Sequence, residues 1–227
     1  MLRFASATPP ADFLTFFGVP APELYTPRYN LAPTQFTPLV RRGEHGEREA
    51  VLARWGLVPA HSRTPAHATR LHLTHARAES VLTSATYTEA FRARRALIPI
   101  SGYYSWVGAP SVLTDRPGKQ PHYVHRRDDK PLVLAALWTR WTGRGGPLDS
   151  FAVVTVAAGA DVRHLDGRMP AVLLRRDWNA WLDPATPCAD ARALLRPFPS
   201  GVLSTHPVTR EVGNLRLDDP RLLQPVA

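Results

Sequence analysis

The positions best suited to acid–base chemistry in this sequence carry His, Asp and Ser. His164 and Asp166 stand two residues apart. In an extended segment that spacing turns both side chains to one face. An imidazole beside a carboxylate there would move protons near neutral pH, or would simply form a surface pair. His75 reads either as a group titrating near neutrality or as a plain polar hydrogen-bond donor. Ser105 closes the run Gly102-Tyr103-Tyr104-Ser105 with no His or Asp partner identifiable from spacing, so no protease constellation is legible. The sole cysteine, Cys188, follows Pro187 and reads as a small inert side chain. One cysteine excludes an intrachain disulfide and a cysteine-based zinc site. The nine histidines show no clustered ligand spacing, so no metal and no other cofactor is expected.

The basic residues suggest a second kind of chemistry. Lys and Arg total 28 against 19 Asp and Glu, a net charge of +9, and the only lysines are Lys119 and Lys130. A guanidinium presents a planar fork that matches phosphate with two hydrogen bonds, so the balance suits a polyanion partner such as DNA; an arginine-favouring coding bias is the alternative. Arg3, Arg77 and Arg168 are the favoured phosphate contacts. Ion pairs Arg77–Glu79 and Arg168–Asp166 are the competing reading. Trp55 and Trp106 offer faces on which bases could stack, although a tryptophan in a strand is more often core. Asn30 is taken as ordering the loop into Ala32-Pro33, with a contact to DNA as the minority reading.

These residues need elements to hold them. Strand-like runs cover residues 36–40, 50–57, 96–99, 103–106, 122–125, 132–138, 151–156 and 171–174. Most are β-branched or aromatic and bounded by Gly, Pro or Asp. Residues 41–49 and 142–147 read as hairpin loops. Helices are expected over 11–17, 79–94, 177–182 and 189–195, with Asp177 as an N-cap. The predicted class is α+β, mainly β, in a single domain over 1–227. With no membrane-length apolar run and no secretory leader, a cytoplasmic, nucleoid-associated location is expected.

Five segments in order carry a resemblance over nearly the whole chain. They are Met1-Leu2-Arg3-Phe4-Ala5, Arg28-Tyr29-Asn30-Leu31-Ala32-Pro33-Thr34, Trp55-Gly56-Leu57-Val58-Pro59 with His75-Ala76-Arg77-Ala78-Glu79-Ser80, Arg95-Ala96-Leu97-Ile98-Pro99 with Gly102 to Trp106, and Leu165-Asp166-Gly167-Arg168-Met169-Pro170. Together they resemble the SOS response-associated peptidase (SRAP) family. The resemblance implies a compact, mostly β fold with a β-barrel-like core, peripheral helices and a basic groove for single-stranded DNA. In active members, the resemblance implies, the initiator methionine is removed and the exposed cysteine attacks the opened sugar of an abasic site. Its amine forms an imine and its thiol closes a thiazolidine, with an Asn, a Glu and a His around the reaction. Here those positions hold Leu2, His75, Ser105 and Asp166. The aromatic wedge expected after Pro59 is replaced by Ala60-His61-Ser62. The expected function is therefore binding of single-stranded or abasic-site DNA in a damage response, without thiazolidine cross-linking. Two alternatives stay open: a weak abasic-site lyase acting through an imine on the Met1 amine, with His164 assisting, and a module that binds another polyanion or a protein.

Overall fold

The computed structural model describes residues 3–107 and 119–226. Met1 and Leu2, two of the candidate site positions, lie outside them. Among the described residues, twelve strands form two sheets. The first sheet contains β1 (Arg3–Ser6), β2 (Arg28–Leu31), β7 (Gly102–Val107), β8 (Gln120–Arg126) and β12 (Leu203–Pro207), in the order β12-β8-β7-β1-β2. The second contains β3 (Phe36–Arg42), β4 (Arg48–Trp55), β5 (His75–Arg77), β6 (Arg95–Ile100), β9 (Leu132–Gly143), β10 (Gly146–Ala157) and β11 (Arg168–Pro170). Its path β10-β4-β3-β6-β9 closes on itself because β9 also pairs with β10. Closure removes two sheet edges and makes a barrel.

The barrel closes where the sequence places apolar residues on consecutive strand positions. Strand β9 buries Leu132 to Leu137 without interruption, and β10 buries Ser150 to Val156. Strands covered on both faces read as continuous apolar runs. The β9–β10 turn uses Gly145 and Gly146, both at positive φ, a conformation that costs glycine little. Phe4, Tyr103 and Val124 of the first sheet share one core with the barrel side chains Leu39, Ile98, Leu134 and Val154.

Three expectations are corrected. Residues 79–94 do not form one helix; only Thr88–Ala93 is helical. Thr83 Oγ1 donates to the Ser80 carbonyl at 3.2 Å and Thr88 Oγ1 to the Ser84 carbonyl at 2.7 Å, so local side-chain bonds hold a series of turns instead. Residues 171–174 are not a strand: β11 ends at Pro170, and Val172 makes only an isolated bridge to Leu134. Asp177 makes no capping bond to the helix Trp178–Leu182; its carboxylate lies 3.1 Å from Arg196. No helix among the described residues is long and apolar enough to cross a membrane.

Candidate functional site

Strand register brings Arg3, Tyr103, Ser105 and His122 together within the first sheet. Arg3 lies opposite Tyr104 and Phe4 opposite Tyr103, so β1 enters the sheet beside the aromatic pair of β7. Side chains two apart on a strand share a face, which puts Tyr103 and Ser105 together. Ser105 is directly opposite His122 on β8. Opposed side chains of an antiparallel pair stand about 5 Å apart at Cβ, so His122 borders Ser105 on that face. His122 was not singled out in the sequence, because only the β7–β8 register brings it there from 17 positions away (122 − 105).

His75 reaches the same region from the barrel. Strand β5 runs parallel to β10, with His75 opposite Val153. The Tyr87 hydroxyl donates to the His75 carbonyl at 3.0 Å. The imidazole stands edge-on to Trp55 at 5.7 Å between centroids, and Trp55 packs on Phe4 at 4.8 Å. Burial lowers the His75 pKa to about 4, so its ring is neutral at pH 7. Its Nδ1 lies 3.0 Å from Thr74 Oγ1, while its Nε2 is buried with no hydrogen-bond partner among the described residues.

Tyr103 OH and His122 Nδ1 are likewise buried with no hydrogen-bond partner among the described residues. Burial, and then the charge of Asp166, raise the Tyr103 pKa. Burial, and then the neighbouring charges of His164 and His206, lower that of His122. Asp166 and His164 lie exposed in the turn before β11 rather than in an extended segment, so the two-residue spacing does not place them on one strand face; their charges act on Tyr103 and His122 respectively. Asp166 also accepts from the Arg168 backbone N–H at 3.1 Å. A neutral imidazole, a protonated phenol and a carboxylate together can exchange hydrogen bonds with an oxygen-rich ligand and can move protons.

The remaining candidates fall in different places. Trp55 is fully buried with its Nε1 donating to the Thr74 carbonyl at 3.0 Å, so it cannot stack on a base; that reading is corrected. Trp106 is half-buried against Tyr104 at 6.4 Å and keeps part of its surface open. Asn30 is 1% exposed. Its amide donates to the carbonyls of Asn214 and Leu217 at 3.0 and 2.9 Å, and its Oδ1 accepts from Arg3 at 3.2 Å. It thus ties down the C-terminal segment rather than the Ala32-Pro33 loop, and burial takes it away from DNA. Arg3 turns inward as well, donating to the carbonyls of Val212 and Gly213. Arg168 takes Glu79, the carboxylate anticipated for Arg77. Its two terminal nitrogens hold Glu79 at 3.1 and 2.9 Å, and it also donates to the Thr155 carbonyl at 2.7 Å. Arg77 is exposed and has no ion pair among the described residues. Cys188 is half-buried against the core.

A basic approach to the site also went unread. Residues 50–78 contain Arg54, Arg63, Arg70 and Arg77 and four histidines, with no Asp or Glu. Arg54 reaches from β4 to Thr69 Oγ1 at 2.6 Å and to the Gly56 carbonyl at 3.0 Å, which fixes the segment against the barrel. Arg63, Arg70 and Arg77 stay exposed. A cavity of about 320 Å³ separates this segment from the Pro33-Thr34 turn. Two residues lining it, Thr34 and His72, have positive φ (78° and 50°); backbone strain of this kind concentrates at binding sites. The missing acids were the available sequence signal.

A family model described as SOS response associated peptidase (SRAP) matches residues 2–215. The abasic site processing protein YedK of Escherichia coli (strain K12) is 28% identical over 233 residues, covering 99% of both chains. The abasic site processing protein HMCES of Gallus gallus is 27% identical over 233 residues, covering 89% of this chain and 67% of its own. Among solved structures, a protein from Bacteroides thetaiotaomicron superposes with a TM-score of 0.87 at 20% identity over 100% of both chains. One from Bordetella bronchiseptica gives 0.77 at 24% identity, covering 92% of this chain and 100% of that one. The two superpositions concern the fold.

Proposed function

The chain belongs to the SOS response-associated peptidase (SRAP) family, and on that premise we propose that it binds abasic-site DNA, single-stranded at the lesion, without forming a thiazolidine. One observation carries the reading: among the described residues, the buried atoms His75 Nε2, Tyr103 OH and His122 Nδ1 have no hydrogen-bond partner, and His122 lies opposite Ser105. Each unpaired buried polar atom costs about 1–3 kcal/mol. An opened deoxyribose, with its aldehyde, hydroxyl and flanking phosphates, would supply the missing partners. Arg63, Arg70 and Arg77 are exposed in the segment that leads to His75 and would be available to a phosphate backbone. Leu2 stands where the family chemistry needs a thiol, and Cys188 is taken up in core packing.

Fluorescence anisotropy at low salt tests this with abasic, intact single-stranded and RNA oligonucleotides of one length. Abasic DNA should bind tightest. Equal affinity for intact DNA removes the lesion from the reading, and tighter RNA binding replaces DNA by another polyanion. A denaturing gel of the abasic complex should show no heat-stable adduct.

His122 favours a second reading. A neutral imidazole opposite Ser105 can take the proton that a lyase must remove. An amine and the C1 aldehyde would give an imine and water; a base would take a C2 proton, and the 3′ phosphate would leave. Borohydride should then trap the imine, and acetylating the terminus should block both trapping and cleavage. Cleavage that survives acetylation points to Lys119 or Lys130.

A further inference from the structure

A second cavity, of about 350 Å³, opens at the opposite end of β8. Its size falls within the range of small-molecule sites. Helix Phe13–Phe17 forms one wall, the segment from Val172 to Trp178 another, and the turn after β8 the rim. Phe17, Val172, Leu173 and Trp178 make an apolar floor, all at 6% exposure or less. The floor is rigid, because the Leu173 N–H donates to the Val133 carbonyl at 2.8 Å and Trp178 Nε1 to the Leu173 carbonyl at 3.2 Å.

The rim is cationic. Arg126, Lys130 and Arg175 face the opening. Arg126 and Lys130 share one carboxylate, Asp128, at 2.7 and 3.7 Å. Arg175 has no carboxylate partner among the described residues; its guanidinium stands 5.8 Å from the Trp178 ring centre. Three cations against one carboxylate leave positive charge above an apolar floor. Arg126 is four residues along β8 from His122, about 13 Å of strand, so this cavity is separate from the candidate site.

We propose that this cavity binds an apolar-bodied monocarboxylate, its carboxylate on Arg175 and its body on Phe17, Val172 and Trp178. A guanidinium that lacks a carboxylate accepts one through two parallel hydrogen bonds. The floor supplies apolar burial but no free donor, so the ligand's only polar group belongs at the rim. A neutral ligand would leave Arg175 unanswered, and a small inorganic anion would leave the floor unfilled.

Isothermal titration with hexanoate, octanoate and decanoate, below their micellar concentrations, tests this on the full chain. Saturable one-to-one binding is expected, tightening about fourfold per methylene. Decanol should bind at least tenfold more weakly than decanoate. Arg175→Glu, at an exposed position, should lose about tenfold with an unchanged melting curve, and Phe16→Asp, at a half-buried wall position, should lose binding as well. Absence of saturable heat overturns the proposal. So do equal binding of decanol, an Arg175→Glu variant that binds normally, and displacement of decanoate by a DNA oligonucleotide, which would assign the rim to the nucleic-acid surface.

Discussion

His75 shows what burial does to a single side chain at the site. Its imidazole is held neutral by desolvation against Trp55, with a pKa near 4, whereas an unfolded histidine titrates near 6.5. Between those values the unfolded chain binds more protons than the folded one, so stability rises with pH across that window. The contribution is complete above about pH 6.5 and is lost as pH falls toward 4. Two and a half units of separation give a loss of about 2 kcal/mol between pH 7 and pH 5. His122, also lowered by burial, acts in the same direction. We expect the pH 7 to pH 5 stability difference, read from urea unfolding, to shrink by about 2 kcal/mol in His75→Asn; an unchanged difference removes the neutral-imidazole account. Arg168 is argued at this scale too. Because it joins Glu79 to Thr155, Arg168→Ala should lower the melting temperature by several degrees, a change of about 1–2 kcal/mol, whatever it does to DNA binding. An unchanged melting curve with lost binding would return Arg168 to the phosphate contacts.

The element that most constrains the site is the C-terminal segment, which folds back over the β1–β2 edge. Asn30 and Arg3 donate to its carbonyls from Val212 to Leu217, and the Asp218 carboxylate accepts from the backbone N–H groups of Tyr29 and Asn30 at 2.6 and 3.0 Å. This clamp fixes the start of β1 beside Tyr103 and Tyr104. Asn30→Ala leaves two carbonyls without donors and should cost about 2 kcal/mol. It should also accelerate tryptic cleavage after Arg216. If stability falls while that cleavage rate stays unchanged, the clamp reading is wrong. The long strands β3, β4, β6, β9 and β10 were legible because their apolar runs are bounded by turn residues, although most ends extended one to five residues further and β4 stopped two residues early, at Trp55. Strands β1, β2, β5, β11 and β12 were not, being only three to five residues long. Motif positions such as His75, Ser105 and Asp166 were legible one by one. His122 and the Asn30 clamp exist only through register and long-range folding, which no local pattern encodes.

Over the whole molecule, the net charge of +9 is less informative than where its cations remain unpaired. Arg28, Arg41, Arg42, Arg94, Arg126, Arg140, Arg168 and Arg196 all face carboxylates. Arg3, Arg54 and Arg95 are directed to protein hydrogen-bond acceptors. Arg63, Arg70 and Arg77 are exposed and unpaired among the described residues, and the stretch that carries them ends at β5, next to His75. A phosphate backbone binding there should release counterions from those few contacts. Arg77→Glu and Arg144→Glu make a matched pair, because each lowers the net charge by two, from +9 to +7. Arg144 sits in the β9–β10 turn between Gly143 and Gly145; Val153, the register partner of His75, is seven residues along β10 from its start at Gly146, about 23 Å of strand. If the site is local, Arg77→Glu should weaken single-stranded DNA binding about tenfold or more and flatten the slope of log K against log salt by about 1. Arg144→Glu should leave affinity within about twofold and the slope unchanged. Equal losses in the two variants would mean that net charge, not the acid-free segment leading to His75, attracts the DNA.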